Sequence, residues 1–324
     1  MPEALLAVRA VHFAASALAT GVIVFAILVA RPALAGTGEA GADIVARFAT
    51  AAARLFCASL VVAVASGALW LVLVGADIAD QSPSAALHDG TVWTLLTATR
   101  FGLVSQLRAI MAGLLLAVVL MFGSRPVFAG LNAASIVALV VSLCFIAALA
   151  FAGHGGATSG AEGYVHLGAD ILHLVAAAAW LGGLAPLVWL LGRLERDEQG
   201  TRVAVRVLQR FSSLGVVSVA VLAATGIVNS WFLVGSLYAL TNTDYGTWLL
   251  LKIVLFVVMV SLAVVNRLIL TRRLAPAKTD GTGIDQLRSI GSNALLEFLV
   301  GLAVIIVVGV LGTLAPAAHQ FHVH

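Results

Sequence analysis

Residues 166–191 read HLGADILHLVAAAAWLGGLAPLVWLL. The run holds one acid and two histidines and no other ionisable side chain. About 20 apolar residues carry an α-helix across the hydrocarbon of a bilayer, so this segment is long enough to span one. Seven more stretches of the same kind follow or precede it, at about 5–30, 50–75, 101–123, 131–152, 211–234, 247–270 and 291–314. The weakest is 101–123, whose start is interrupted by Arg100, Gln106 and Arg108, and Thr91–Thr99 before it reads as a short interfacial segment. The first run ends near Ala33-Leu34-Ala35, which resembles a leader cleavage site. It is longer than a leader's apolar core, and Glu3 stands where a positive start is expected, so it is read as a retained span.

The composition of the 324 residues agrees. Hydrophobic residues make up 61% and charged residues 10%, and the mean hydropathy is +1.09. An average soluble domain is roughly 45–50% apolar and about 25% charged. A soluble enzyme, a disordered chain and a disulfide scaffold are excluded. A β-barrel is excluded as well, because the apolar residues do not alternate. The expectation is an all-α polytopic membrane protein with about eight transmembrane helices, forming one domain over 1–324. The net charge of +3 suggests no nucleic-acid partner. Cys57 and Cys144 both lie in apolar runs and form no CxxC metal motif.

Orientation is read from lysine and arginine in the connections. Segments 31–49, 124–130, 192–210 and 271–290 carry them, whereas 76–90, 153–165, 235–246 and the tail after 314 carry none. The basic connections are expected to face the cytoplasm, with both termini outside.

The two halves echo each other. His12 precedes Gly21 by nine residues, as His173 precedes Gly182. Ser66-Gly67 echoes Thr225-Gly226, and Phe101-Gly102 with Arg108 echoes Tyr245-Gly246 with Lys252. Asn132 and Asn293 open the fourth and eighth runs. A parallel duplication of a four-helix unit is expected, 1–152 and 153–324, the second unit ending in a histidine-containing tail. Four crossings return the chain to the same side, so the copies share an orientation, and a site at their interface is a common outcome.

All eight histidines fall on the expected outer side. His166, Asp170 and His173 stand at i, i+4 and i+7 and so share one helix face. A carboxylate between two imidazoles can ligate a metal or orient a ring that does, and an acid inside a span calls for a partner. His12 is the counterpart of His173. His154 sits in a glycine-rich turn, and His319, His322 and His324 form a metal-capturing tail composition. The candidate metal ligands are therefore His12, His154, His166, Asp170, His173, His319, His322 and His324. Arg108 and Lys252 are read as snorkelling cations or partners of Asp170. Glu297 is read as an ion pair with Arg210 or Arg267, or as a proton or metal relay. Trp180 shares the face of His173 and is expected to floor the site. Imidazole and carboxylate suit Cu(II), zinc and other divalent ions alike. The intramembrane pair His12 and His173 would also suit bis-histidine haem.

The chain resembles the CopD family of copper-resistance inner-membrane proteins. The resemblance rests on Gly153-His154, on His166 to Gly182 with Asp170, His173 and Trp180, on Tyr245-Gly246 through Lys252 to Asn266-Arg267, and on Glu297 and Pro316. It departs from some copper-handling membrane proteins in having only four methionines. The resemblance implies a multi-pass protein of the bacterial inner membrane, with periplasmic termini, that transports or imports copper. It also implies a periplasmic copper-binding protein as partner. The tail and His154 would collect the ion, and His12, His166, Asp170 and His173 would bind it. With no nucleotide-binding signature, no nucleotide is expected, and the activity is transport and not catalysis. The alternatives are a haem-binding membrane cytochrome and a non-transporting copper sensor or assembly factor.

Overall fold

The structure is a computed structural model. It describes residues 2–35, 37–38, 41–153, 160–195, 197–270 and 282–320, with side chains described for all of these except 2, 269–270, 282–288 and 319–320. Among the described residues there is helix and no strand. The eight long helices are α1 Pro2–Phe25, α2 Ala42–Ile78, α3 Arg100–Phe122, α4 Ala133–Ala147, α5 Gly160–Leu191, α6 Glu198–Val234, α7 Asp244–Val265 and α8 Thr282–Leu311. Each carries a stretch long and apolar enough to cross a membrane.

Several of them outrun the apolar stretches read from sequence, α2 and α6 among them. α2 starts at Ala42 and α6 at Glu198. Their extra turns carry charged residues that break the apolar run. They are held by an Asp197 side chain that accepts from the Gly200 N–H at 2.6 Å and by i, i+4 ion pairs, Asp43–Arg47 at 2.8 Å and Glu198–Arg202 at 2.5 Å. Exposed pairs of this kind contribute only about 0.3–0.5 kcal/mol each. The interfacial segment before α3 is a separate helix, Thr91–Ala98. Thr99 then caps α3 by accepting from the Gly102 N–H at 3.0 Å, and Thr243 caps α7 from Gly246 at the same distance. Asn132 and Ser135 form a reciprocal capping box at the start of α4. A 3₁₀ turn, Ala148–Ala152, extends α4, and π turns extend α1 over Ala26–Ala30 and α7 over Asn266–Leu270.

The core centres on α1 and α5. α1 packs on α2 and α4, α5 packs on α6 and α8, and each also touches the other's outer neighbour, α1 on α8 and α5 on α4. Where α1 crosses α5, Gly21 faces Gly182. A Cβ on Gly21 would collide with the backbone of Gly182 and Ala178, and one on Gly182 with the backbone of Ala17 and Gly21. Only glycine lets the two backbones approach so closely. The helices alternate in direction, which divides the bundle into a histidine end and a basic end. His12, His173 and the last turn of α8 lie towards the first, and Arg47, Arg54 and Arg193 towards the second.

Candidate metal site

Towards the histidine end each half of the bundle holds a polar cluster, buried in the first half and half-buried in the second. In the first, His12 on α1 places Nδ1 2.9 Å from the carbonyl oxygen of Ala63 on α2 and 3.3 Å from the Ser66 hydroxyl. A carbonyl only accepts, so Nδ1 carries the hydrogen, and the Nε2 lone pair accepts from Arg108 Nη2 at 3.1 Å. Arg108 on α3 is 4% exposed. It also donates to Ser16 Oγ at 2.7 Å and to the Phe145 carbonyl, and its guanidinium stacks 4.0 Å from the Phe145 ring centroid. Among the described residues every hydrogen-bond partner of Arg108 is a neutral group. The expected pairing of Arg108 with Asp170 is not made. Both nitrogens of His12 are taken up, so a metal at Nε2 would have to displace a guanidinium.

The second cluster begins the same way and ends differently. His173 on α5 places Nδ1 2.9 Å from Thr225 Oγ1 on α6. The Thr225 hydroxyl already gives its hydrogen to the Val221 carbonyl at 2.6 Å, so His173 donates from Nδ1 and its Nε2 keeps a lone pair. Among the described residues Nε2 has no hydrogen-bond partner. Lys252 on α7, which echoes Arg108 in the sequence, makes no hydrogen bond or ion pair within 4 Å among the described residues. It is coupled electrostatically to both Asp170 and His173. Asp170 in turn feels Tyr245, which is buried at the start of α7. A Cβ on Gly153 would come within 4.0 Å of Asp170 Oδ2, so the acid faces the end of the chain segment leaving α4. Here an open imidazole lone pair and a carboxylate both lie in the field of one ammonium, that of Lys252.

The other predicted ligands are placed as follows. His166 is 2% exposed and stacks on Phe232, ring centroids 4.9 Å apart and planes 13° apart. His154, His322 and His324 lie outside the described residues, as does the side chain of His319. Among the described residues no three His, Cys, Asp or Glu side chains gather as a metal group. Asp170 and His173, three residues apart on α5, are each coupled to Lys252, and His12 belongs to the other cluster.

Nearer the basic end, α5, α6, α7 and α8 enclose a cavity of about 340 Å3. Trp180 lines it two turns beyond His173 on the same helix, and Glu297 on α8 lines it as well. Glu297 is 2% exposed. The expected ion pair is replaced by an amide: Asn266 Nδ2 donates to Glu297 Oε1 at 2.6 Å, and Asn293 donates to Asn266 Oδ1 at 3.3 Å. Arg267 instead bonds the Ser212 carbonyl at 3.2 Å and its hydroxyl at 2.9 Å. Among the described residues Arg210 makes no ion pair. The π turn at the end of α7 begins at Asn266 itself, and so sets the amide that meets Glu297.

Comparison with known proteins gives the chain its kin. Residues 1–164 match the family described as "Copper resistance protein D-like, N-terminal domain", and residues 205–311 match "Copper resistance protein D". Copper resistance protein D of Pseudomonas syringae pv. tomato is 34% identical over 226 residues, 68% of this chain and 71% of that protein. The chain belongs to the copper resistance protein D family. Inner membrane protein YebZ of Escherichia coli (strain K12) is 29% identical over 69% of this chain and 72% of its own length. Copper transport protein CutJ of Bacillus subtilis (strain 168) is 34% identical over 57% of this chain but only 32% of its own length. No solved structure matches. Within the family match, His12 and Arg108 fall in the first matched segment and Lys252 and Glu297 in the second, while Asp170 and His173 lie between the two.

Four of the residues that shape this family member's clusters escape sequence reading. Ser16 is a small polar residue in an apolar run and carries no spacing signal, and Asn293 reads only as the opening of the eighth run. Arg9, near the start of α1, bonds the Gly312 carbonyl at 2.5 Å and lies 5.1 Å from the Trp70 ring centroid. Tyr245 reads only as part of an aromatic–glycine pair. Thr225 reads as an interhelical hydrogen bonder, which is correct in kind, but its partner is visible only in the fold.

Proposed function

We propose that the chain transports copper ions across the bacterial inner membrane, taking them up at a His173–Asp170 site on the periplasmic side and passing them inward through the second half of the bundle. The reading rests on one observation: Thr225 holds His173 in the tautomer whose Nε2 lone pair is open, one helical turn from Asp170 on α5. An imidazole fixed by a partner on its other nitrogen is the usual state of a metal-binding histidine. In this reading Asp170 and Lys252 balance each other's charge before the ion arrives. A cation that takes Asp170 displaces Lys252 from that balance. The ion then moves past Trp180 to the cavity lined by Glu297, whose Oε2 has no hydrogen-bond partner among the described residues. Glu297 serves as the inner relay. The names of the relatives, which refer to copper resistance, copper transport and the inner membrane, support the cargo and the location.

The basic connections face the cytoplasm in this proposal, both termini are periplasmic, and the direction is import. The histidine tail and His154 collect the ion from a periplasmic copper-binding protein. The chain arose as a parallel duplication of a four-helix unit, which accounts for the paired histidine–hydroxyl bonds and the Gly21–Gly182 crossing. It acts as a transporter and not as an enzyme. Bis-histidine haem is disfavoured by the bond from Arg108 to His12 Nε2, since that nitrogen is the one a haem iron would need.

Copper flux into proteoliposomes tests the reading. The native chain should load vesicles from the side bearing the termini. His173→Ala with Asp170→Ala should abolish both binding and flux. Glu297→Gln should bind copper normally and fail to pass it. A native chain that binds copper yet moves none would leave the sensor or assembly role in place of transport. A b-type absorbance band in the purified protein would replace both.

A further inference from the structure

At the basic end, on the flank between α2 and α5, lies an open groove of about 800 Å3. Its floor is apolar, with Leu55 from α2 and Pro186 and Trp189 from α5, and Arg47, Arg54 and Arg193 stand at its rim. Arg47 and Arg54 are seven residues apart, so they share one face of α2. Arg47 is engaged by Asp43 at 2.8 Å. Arg193 lies 5.8 Å from the Trp189 ring centroid. Arg54 is exposed, and among the described residues it has no hydrogen bond or ion pair. Two guanidiniums therefore face the groove with no acid to neutralise them.

The position narrows the occupant. The groove lies where α5 ends and the basic connection 192–210 begins, and Trp189 is an aromatic of the kind that sits at headgroup depth. An occupant must be anionic at the rim and apolar along the floor. In a bilayer that description is a phospholipid with net negative charge, and basic pockets between helices bind such headgroups. A zwitterionic lipid would bring an ammonium against the arginines. A free phosphate would leave the apolar floor empty.

We propose that this groove binds an anionic phospholipid, its phosphodiester held by Arg54 and Arg193 and an acyl chain laid along Leu55, Pro186 and Trp189. Because α2 belongs to the first half and α5 to the second, the lipid ties the two halves together at the basic end.

The test uses the full chain purified from membranes in mild detergent. Native mass spectrometry should show a retained anionic phospholipid. Arg54→Ala with Arg193→Ala should cut its occupancy at least tenfold. Ala51→Phe, which fills the groove and leaves every arginine in place, should do the same. Arg210→Ala, which removes one charge elsewhere at the same end, should retain the lipid. A second arm needs no variant: phosphatidylglycerol should raise the melting temperature of the native chain, and phosphatidylcholine or inorganic phosphate should not. Equal retention by the double variant overturns the proposal, as does equal stabilisation by the zwitterionic lipid or by phosphate alone.

Discussion

Replacing Thr225 by valine asks whether the imidazole of His173 works because it is held. Valine keeps the shape of threonine and removes the acceptor that His173 Nδ1 has among the described residues, at 2.9 Å. The half-buried N–H then loses that partner, at a cost of about 1 kcal/mol. The ring relieves this by turning or by moving its hydrogen to Nε2, and either change removes the open lone pair. Loss of a group that orients a metal-binding histidine typically lowers affinity about 10–100-fold, equivalent to about 1.4–2.7 kcal/mol of binding energy. Ser66→Ala provides the matched comparison. His12 keeps the Ala63 carbonyl at 2.9 Å and the Arg108 contact at 3.1 Å, so this change should cost roughly 0.6 kcal/mol of stability and leave copper affinity unaltered. The assay is competition against a chromophoric chelator in detergent, run separately for Cu(I) and Cu(II), on variants that elute as the native chain does. Native affinity in Thr225→Val alongside none in His173→Ala would refute the orienting role. A loss in Ser66→Ala as large as in Thr225→Val would move the site to the first cluster.

Four further outcomes are expected. Lys252→Met removes the cation that competes for Asp170, so copper should bind about tenfold or more tightly; unchanged affinity in the same titration would sever Lys252 from the site. Arg108→Met deletes three interhelical hydrogen bonds at roughly 0.6 kcal/mol each, about 2 kcal/mol in all, and denaturation should show this loss with copper affinity intact. Gly21→Val forces a side chain into the α1–α5 crossing and should cost at least about 1–3 kcal/mol, read as a lowered melting temperature, whereas Gly113→Ala, where nothing lies within 4 Å, should be neutral or stabilising. In the connection after α2, the Thr91 amide, then the Gln81 and Thr91 side chains, hold the exposed Asp89 carboxylate below its usual range. Its contribution is complete above the unfolded value of about 4 and is lost as pH falls through the lowered one, so the protection of the Thr91 amide against exchange, relative to an unfolded chain at the same pH, should fall only in acid, and Asp89→Asn should flatten that dependence.

The eight crossings are legible because hydrocarbon tolerates few charges, and scarcity of charge is a linear signal. Helix ends in water are less so: the first turns of α6 look like a loop until Asp197 is seen to cap them. The pairing of His173 with Thr225 can be guessed from the echo of Ser66, but its chemistry cannot. The same spacing gives His12 an arginine that occupies its ring and gives His173 a lysine that does not reach it. Arginine and lysine differ in reach and in the number of donors, and only the fold shows which of them closes a site. Glu297 shows the same limit. Any cation at the right level is a candidate partner in a linear reading, and the residue that meets it is an asparagine on a π turn.

The Gly21–Gly182 crossing has a mechanical meaning as well as a packing one. Two backbones in direct contact have no interlocking side chains to repack, so the joint resists separation more than it resists rotation. His12 and His173 each stand nine residues from it, about 13–14 Å along their helices at 1.5 Å per residue. They are lever arms of equal length on one fulcrum. A tilt of about 10° would carry each ring roughly 2.4 Å by this geometry. That is enough to make or break the hydrogen bonds that set them, and it would do so in both halves in a single stroke.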